Sequence, residues 1–459
     1  MNRLFFTLII LLISVSTFQC QKSPGKKSLK KLPPKVLETI ERRIAKGATH
    51  SIAIALIDSA GVTYYNFGKT QEGGKDVDEH TIYEIGSISK VFTGILLAQQ
   101  VLDGDLKLED EINKFLPDSV KAHVKGEAEI TFGNLTDHTS GFPGMPDNFT
   151  PANPNNPYAD YTVDQMYDFV SKYQPDRKVG AAFEYSNFAQ GLLGNLLAQN
   201  KNQSYEELMV KTIADPLGMK NTRIGFTGEM KENLALGHSE GKVVESWDIL
   251  TLAGAGGIRS STSDMAKFIA ANLGYLDSPL ADAMAMSHTV RHSKAGNMRV
   301  GMGWFIKKGK EGDVIWHNGG TGGYRTFTGF VKETGIGVVL LTNSSISTDD
   351  IGFHLLDPGS KIAHLRYKSE AVDVPESTLE EYVGVYSLGP ELTISITKEG
   401  KQLFGQATGQ GKFEIHPQND SVFFLTVVEA TITFQRRKGA VESLILFQGG
   451  QKMLGKRIE

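Results

Sequence analysis

Hydrophobic and polar positions place two groups of strands around a long helical stretch. The segment KVLETIERRIAKG (35–47) has helical spacing and ends at a glycine, and SIAIALIDSAGVTYYNFGK (51–69) contains two short apolar runs joined at a turn. Strand patterns return near residue 302 in GMGWFIKK, DVIWHNGG, RTFTGFVK and IGVVLLTN. We therefore predict an α/β (α+β) domain whose antiparallel sheet comes from both ends of the domain, flanked by helices and carrying a helical insertion.

The pattern of the sequence changes near Tyr382. The runs YVGVYSL, ELTISITKEGKQLFGQA, SVFFLTV, ATITFQRR and ESLILFQ alternate apolar and polar residues over short stretches with turns between them. An Asp-Pro-Gly turn at 357–359 and Pro375 precede these runs. This pattern predicts a separate, small all-β domain, built as a barrel or a meander.

Composition excludes several classes of function. The chain has 459 residues and a formal net charge of −4, so no basic field indicates a nucleic-acid partner. No glycine-rich phosphate loop or dinucleotide motif is present, so we expect no cofactor. His288 and His292 have the i, i+4 spacing of a metal pair, but the motif lacks its glutamate and a third ligand, so we expect no metal. His138 is expected to be a buried structural histidine.

The N-terminus has the pattern of an export signal. One arginine is followed by an apolar run from Leu4 to about Phe18, which is short for a membrane span. Cys20, the only cysteine, ends this run and resembles the lipidated cysteine of bacterial lipoprotein signals, although Gln19 stands where a small residue is usual. We expect export to the periplasm or cell envelope with a lipid anchor at Cys20. Simple cleavage and an incidental cysteine are the alternatives.

Ser87 is the first candidate for chemistry, in the stretch YEIGSISKVF. The S-x-x-K spacing alone decides nothing, because it also occurs at Ser23, Ser28, Ser239 and Ser395. Ser87 differs because it lies where a strand pattern meets a helix pattern, after Gly86, with free backbone N–H groups nearby. Lys90 falls one turn later on the same face, where a desolvated amine could take the serine proton. The alternative is an N-cap serine beside a surface lysine.

Two further stretches favour the nucleophile. FEYSNFAQGLLGNLL offers Tyr185 and Asn187 before an apolar helix, and VIWHNGGTGGYRTF ends a strand in His317 followed by small residues. In this order, YEIGSISK, YSN and HNG resemble the three motifs of serine hydrolases with the penicillin-recognising fold. From Val36 to Ile362 the chain is similar to class C β-lactamases and to the esterases and D-amino-acid peptidases of that fold. The C-terminal part resembles small β-barrel domains appended to such hydrolases.

The resemblance implies a β-lactamase/transpeptidase-like fold and a role for each motif residue. Ser87 would be the nucleophile that forms an acyl-enzyme, and Lys90 would keep a proton network poised around it. Tyr185 would be the general base or a proton shuttle, with its phenolate favoured by nearby cations. The sequence leaves open whether Lys90 or Tyr185 takes the first proton. Asn187 would bind the substrate amide and Lys90.

The resemblance places Gly319 and Gly320 against the substrate, with the Gly320 and Ser87 N–H groups forming the oxyanion hole. His317 departs from the lysine of class C β-lactamases. An unperturbed histidine titrates near 6.5, so we expect its protonation to matter between about pH 5 and 8, and its neutral form to donate a hydrogen bond to the substrate or the tyrosine. Gly256 stands in place of a class C tyrosine. Arg325 is either a replacement for the missing charge or a surface arginine.

The sequence predicts an exported serine hydrolase that acts through an acyl-enzyme on Ser87. The first hypothesis for its function is β-lactamase-type amide hydrolysis, which would link the protein to antibiotic resistance. The second is a D,D-peptidase or esterase of the same fold. The third is a penicillin sensor that is acylated without turnover. The expected partner is a β-lactam, an ester or a D-amino-acid peptide, with membrane contact only through lipid on Cys20. The predicted segments are 1–20 (signal peptide of lipoprotein type), 21–35 (linker), 36–365 (hydrolase domain), 366–378 (linker) and 379–459 (C-terminal β-barrel-like domain).

Overall fold

The computed structural model describes residues 15–16, 31–293, 298–389, 392–408, 412–448 and 451–459. Cys20, most of the predicted signal and most of the first linker lie outside these residues. The chain divides into two compact units, Met1–Lys361 and Ile362–Glu459. No helix in the described ranges is long and apolar enough to cross a membrane.

The helices are short and lie mostly between the two groups of strands. They are α1 (Pro34–Ala45), α2 (Ser89–Leu102), α3 (Phe132–Thr136), α4 (Val163–Lys172), α5 (Asn187–Asn200), α6 (Tyr205–Met209), α7 (Gly228–Glu232), α8 (Ala253–Gly256), α9 (Thr262–Asn272), α10 (Ala281–Ser287), α11 (Asp349–Leu356) and α12 (Glu376–Glu380). Turns of 3₁₀-helix lie at Gly86–Ile88, Ile112–Lys114 and Lys368–Glu370, and a π-helical turn lies at Val210–Ala214.

The strands of the first unit are β1 (Val15–Ser16), β2 (Ser51–Asp58), β3 (Gly61–Gly68), β4 (Ile82–Glu84), β5 (His238–Ser239), β6 (Lys242–Val243), β7 (Arg259–Ser261), β8 (His292–Ser293), β9 (Met298–Val300), β10 (Phe305–Lys308), β11 (Asp313–Gly320), β12 (Arg325–Val331) and β13 (Ile336–Thr342). Nine of them form one sheet in the order β1-β3-β2-β13-β12-β11-β10-β9-β8, with every neighbouring pair antiparallel. The join is made by β13 and β2, with Leu340 opposite Ile54. The predicted sheet from both ends of the domain is confirmed.

Helix α2 runs through the centre of the first unit, and for this reason it is apolar on nearly all sides. Two close approaches place it. A Cβ added at Gly94 would lie 2.2 Å from the carbonyl oxygen of Met302, so only glycine fits there. Gly191 and Gly194 of α5 likewise lie directly against Leu252 and Gly254 at α8. Thr93 of α2 in turn donates a hydrogen bond to the carbonyl oxygen of Gly254 at 2.7 Å. These contacts bring α2, α5 and α8 together, and each of the three contributes to the site described below.

The second unit is a closed antiparallel barrel. Its strands are β14 (Gly384–Gly389), β15 (Leu392–Glu399), β16 (Gln402–Ala407), β17 (Phe413–Pro417), β18 (Val422–Phe424), β19 (Ala430–Arg437), β20 (Ala440–Gln448) and β21 (Gln451–Arg457). Stacked Tyr382 and Phe434, with ring centres 4.0 Å apart, are part of its core. The predicted barrel is confirmed, although the sequence patterns had not marked β17 and β21 as strands.

Candidate active site

Ser87 lies in a tight turn between a short strand and the central helix. Strand β4 ends at Glu84, Gly86 takes a left-handed φ of +53°, and α2 begins at Ser89. From Gly86 to Phe92 every residue is buried except Ser87, which is half-buried. The apolar residues of α2 therefore fix the turn and leave the Ser87 hydroxyl partly exposed.

Lys90 is fully buried behind this hydroxyl. Its Nζ lies 3.1 Å from Ser87 Oγ, 2.8 Å from Asn187 Oδ1 and 2.7 Å from the carbonyl oxygen of Ala255. Burial holds the pKa of Lys90 well below its usual range. The two carbonyl-type oxygens only accept hydrogen bonds, so a neutral amine donates both of its hydrogens to them and keeps its lone pair for Ser87.

Tyr185 completes this group from the segment before α5. Its hydroxyl hydrogen-bonds Ser87, and Lys90 Nζ lies 4.8 Å from the centre of its ring. Burial raises the pKa of Tyr185 above its ordinary value, which is the main effect on this phenol. The expectation that nearby cations favour the phenolate is therefore wrong for the resting site. The phenol is protonated and the lysine is the more readily deprotonated of the pair.

His138 holds the backbone on both sides of Tyr185. Its carbonyl oxygen accepts the N–H of Glu184 at 2.9 Å, and its Nδ1 accepts the N–H of Ser186 at 3.1 Å. The imidazole also packs on the Tyr185 ring, with centres 4.7 Å apart. His138 is buried, as predicted, and it adopts a φ of +63°, which is unusual for a residue with a side chain. Its position shows that it supports the site, which the sequence pattern alone did not indicate.

The end of β11 passes against the Ser87 turn with almost no space between the backbones. A Cβ at Gly319 would lie 1.9 Å from the carbonyl oxygen of Ile85, and a Cβ at Gly86 would lie 2.6 Å from the backbone nitrogen of Gly320. The Thr326 hydroxyl donates to the same Ile85 oxygen at 2.9 Å. The three glycines let the Gly320 amide come beside the Ser87 turn, where the sequence predicts an oxyanion donor.

His317 is buried on β11, and its environment corrects two expectations. Its Nδ1 faces the carbonyl oxygen of Asn318, an acceptor, so Nδ1 carries the hydrogen and Nε2 offers a lone pair. Burial is the main cause, and the charge that Lys90 carries when protonated is the second, of the lowering of the pKa of His317 to about 3. The imidazole is therefore neutral throughout pH 5 to 8, and its one N–H is already used within the protein. It stacks on Phe305, with ring centres 4.9 Å apart.

Arg325 borders the site and is half-buried, not a free surface side chain. Its Nη1 donates to the carbonyl oxygens of Thr321 and Tyr324 at 2.8 and 2.9 Å. A Cβ at Gly320 would lie 2.8 Å from the same Nη1. The guanidinium thus lies directly beside the backbone of Gly320. Arg325 is therefore not a free surface residue, and its role as a replacement for the positive charge of the class C lysine stays a prediction.

The two histidines of the candidate metal pair lie in different elements. His288 follows the last residue of α10 and hydrogen-bonds Asn272 Oδ1 at 2.9 Å, whereas His292 begins β8. Burial lowers the pKa of His288 well below its usual value. In the described ranges no group of three histidine, cysteine or acidic residues is placed to hold a metal.

A small cavity opens in front of Ser87. It is lined by Ser87, Tyr158, Asn187, Trp247, Ile249, Ala255, Gly256 and Gly320. Gly256, noted above for the missing tyrosine, forms part of its wall. The sequence reading did not select Tyr158, Trp247 or Ile249, because they come from loop segments without regular apolar spacing.

Comparison with known proteins identifies the family. A sequence profile described as Beta-lactamase matches residues 36–354. The chain belongs to the Beta-lactamase family. A second profile, described as a domain of unknown function (DUF3471), matches residues 368–457. The protein is thus a serine β-lactamase-like hydrolase with an additional C-terminal domain.

The relatives of this β-lactamase family member are named either as β-lactamases or as D-alanyl-D-alanine carboxypeptidases. A β-lactamase of Pseudomonas fluorescens is 29% identical over 67% of this chain and 92% of its own length. A D-alanyl-D-alanine-carboxypeptidase/endopeptidase, AmpH, of Escherichia coli is 27% identical over 66% of this chain and 81% of its own. A solved β-lactamase/D-alanine carboxypeptidase of Yersinia pestis, in complex with citrate, shares the fold with a TM-score of 0.61 at 24% identity, over 68% of this chain and 92% of that one.

Proposed function

We propose that this protein hydrolyses an amide or ester bond through an acyl-enzyme on Ser87, as class C β-lactamases do. The observation that carries the proposal is the position of Lys90. A buried amine with a lowered pKa lies 3.1 Å from the serine oxygen and is held there by two acceptor oxygens. A serine hydroxyl becomes an effective nucleophile when such a neighbour can accept its proton.

The contacts support a definite proton route. The lone pair of Lys90 accepts the proton of Ser87 while the serine oxygen bonds to the substrate acyl carbon, and the carbonyl oxygen of the substrate takes the electron pair. Tyr185, still protonated, gives its proton to the leaving nitrogen or oxygen as that bond breaks, and Lys90 returns a proton to the phenolate. Water then attacks the acyl-enzyme by the same route in reverse. Asn187 keeps the amine oriented throughout.

The oxyanion is stabilised, in this proposal, by the N–H groups of Ser87 and Gly320. Support comes from the close approach of β11 to the Gly86 turn and from the place of Gly320 in the cavity wall. One donor of this kind contributes on the order of 3–4 kcal/mol to transition-state stabilisation in other acyl-transfer sites.

We propose a β-lactam as the substrate, because the chain belongs to the Beta-lactamase family and several relatives are named β-lactamases. A D-alanyl peptide or an ester is the second candidate, and the neutral His317 favours it, because a neutral imidazole offers no fixed charge to a substrate carboxylate. Arg325 is the side chain proposed to bind such a carboxylate, since its guanidinium borders Gly320. Substrates with and without a carboxylate therefore separate the two candidates.

The test measures hydrolysis and labelling on one preparation. Steady-state rates are recorded for a chromogenic cephalosporin, p-nitrophenyl acetate and an acyl-D-Ala-D-Ala peptide. In parallel, a fluorescent penicillin and a fluorophosphonate are mapped by peptide mass spectrometry, with Ser87→Ala as the inactive variant and Ser395→Ala as a matched S-x-x-K control. We expect the adduct on Ser87 in wild type and in Ser395→Ala. An adduct elsewhere, or none with either probe, contradicts the proposal.

The same measurements address the non-hydrolytic alternative. A penicillin sensor would give a stable acyl adduct on Ser87 with no measurable turnover of any of the three substrates. We expect turnover, because Tyr185 and Lys90 are both in contact with Ser87 and so can serve deacylation as well as acylation.

We also propose that the protein is exported and anchored by lipid on Cys20. Support comes from the apolar run that ends at this residue. Cys20→Ala is expected to move the protein from the membrane fraction to the soluble periplasmic fraction. A wild-type protein that is already soluble, with an N-terminus after residue 20, excludes the anchor.

A further inference from the structure

One side of the cavity is aromatic and takes no part in the proposed proton route. Tyr158 and Trp247 line it, with ring centres 5.4 Å apart and planes inclined by 46°. The cavity is small, about 30 Å³, and partly open to solvent. Any larger substituent on the acyl carbon therefore has to contact or displace these two rings.

Trp247 is fixed at its backbone and at its ring. Its N–H donates to Glu84 Oε1 at 2.9 Å, and its carbonyl oxygen accepts from Arg259 Nη2 at 2.8 Å. Glu84 and Arg259 form a buried ion pair, so both partners are themselves held. At the ring, a Cβ on Gly322 would lie 2.8 Å from the indole Nε1, so the indole lies directly against this glycine. The position of the indole is thus built into the fold.

Two reciprocal hydrogen bonds join the loop that carries Tyr158 to the segment that carries Trp247. Asn156 Nδ2 donates to Asp248 Oδ2 at 2.9 Å, and the Asp248 N–H donates to Asn156 Oδ1 at 2.8 Å. Asn153 adds a third link from the same loop, to Glu245 Oε2 at 2.9 Å.

We propose that Tyr158 and Trp247 form an acyl-group subsite that selects substrates with a flat, uncharged, apolar substituent, and that Asn156 and Asp248 are the positioning residues of this subsite. The inference deepens the proposed acyl-enzyme chemistry and rests on it. None of the described residues that line the cavity carries a charged side chain, so a charged substituent gains no partner there. An aromatic substituent, in contrast, buries apolar surface and stacks on two rings.

The first experiment compares two esters that differ only in the acyl group, p-nitrophenyl phenylacetate and p-nitrophenyl acetate. The measured quantity is the ratio of their kcat/KM values. We expect wild type to prefer the phenylacetate and Trp247→Ala to reduce this ratio about tenfold, the size that stacking and burial of one aromatic group support. Tyr158→Ala should act in the same direction, and Trp247→Phe should retain most of the preference.

Two further variants distinguish the subsite rings from the residues that position them. Asn156→Asp opposes Asp248 with a like charge, so it should lower the ratio through KM for the phenylacetate with little change in kcat. Leu250→Ala removes an exposed side chain from the same segment and should leave the ratio unchanged. A ratio that is the same in wild type, Trp247→Ala and Tyr158→Ala overturns the inference.

A binding measurement distinguishes failure of the subsite from failure of the proposed chemistry. Ser87→Ala is titrated with phenylacetamide and with acetamide while the intrinsic tryptophan fluorescence is recorded. Trp304 and Trp316 are buried, so Trp247 is the half-buried indole that reports on the cavity. We expect phenylacetamide to bind at least tenfold more tightly than acetamide, and Tyr158→Ala to remove the difference. Equal binding of the two amides overturns the subsite whether or not wild type hydrolyses esters.

Discussion

The substitution Gly86→Ala tests the geometry of the site most directly. Gly86 has a φ of +53°, and an added Cβ would lie 2.6 Å from the backbone nitrogen of Gly320. To reach ordinary contact, the end of β11 has to retreat by roughly 0.8 Å, and misplacement on the order of 1 Å costs about 100-fold in rate in well-aligned sites. Loss of one oxyanion donor costs about 10²–10³ in kcat. We therefore expect kcat/KM to fall by about 10²–10³-fold.

The chain offers a matched control for the backbone strain. Gly104 also has a positive φ, +78°, but a Cβ there would meet nothing within 4 Å. Gly104→Ala should lose about 1–2 kcal/mol of stability, because a side chain is disfavoured in the left-handed region. Gly86→Ala should lose at least as much, because its Cβ also meets the Gly320 backbone. Only Gly86→Ala should lose activity.

The assay is the hydrolysis rate of the best substrate found for wild type, together with thermal melts of both variants. A drop in melting temperature for both, with activity lost in Gly86→Ala alone, is the expected result. If Gly86→Ala retains the wild-type kcat/KM, the Gly320 amide is not part of the reaction centre, and the oxyanion assignment is refuted.

Four other predictions follow from the site. Lys90→Met should slow fluorophosphonate labelling of Ser87 by about 10²–10⁴, the usual share of one acid–base group, measured by in-gel fluorescence over time. His138→Asn should keep more kcat than His138→Ala, because asparagine tolerates a positive φ and can still accept an N–H. His317, with a pKa of about 3, should show no NMR titration from pH 5 to 8. Because the histidine of the unfolded chain binds a proton below about pH 6.5, the contribution of His317 to the free energy of unfolding should be lost as the pH falls from 6.5 towards 3. Arg325→Ala should lower kcat/KM for substrates with a carboxylate at least tenfold more than for p-nitrophenyl acetate.

The sequence was sufficient for the parts of the fold that depend on regular spacing. The 51–69 hairpin, the returning strands near residue 302 and the C-terminal barrel all follow from alternation and turn residues. The contact of Ser87 with Lys90 also follows, because i and i+3 share a helix face. Each of these features depends on residues that are close together in the sequence, so the spacing of apolar and turn residues is enough to predict it.

The chemistry of the individual groups could not be predicted in the same way. His317 was expected to titrate near neutrality, but its pKa depends on complete burial and on Lys90, which is 227 positions away in the sequence. Tyr185 was expected to favour the phenolate, but burial raises the pKa of its phenol. Both errors have one cause: a sequence pattern shows which groups meet, but not how much water the assembled fold leaves around them.

The precision of this site comes from the absence of side chains as much as from their presence. Gly86, Gly319 and Gly320 let two backbones touch beside Ser87, and Gly191 and Gly254 let two helices approach closely next to Ala255, whose carbonyl oxygen accepts a hydrogen bond from Lys90. Such contacts fix distances more rigidly than long side chains do, because a backbone held in a sheet or helix has no rotamers to lose. At each of these glycines, the tight packing of the domain core therefore determines the position of one atom of the proposed site. Substitutions at these glycines should impair catalysis to a greater degree than they impair stability.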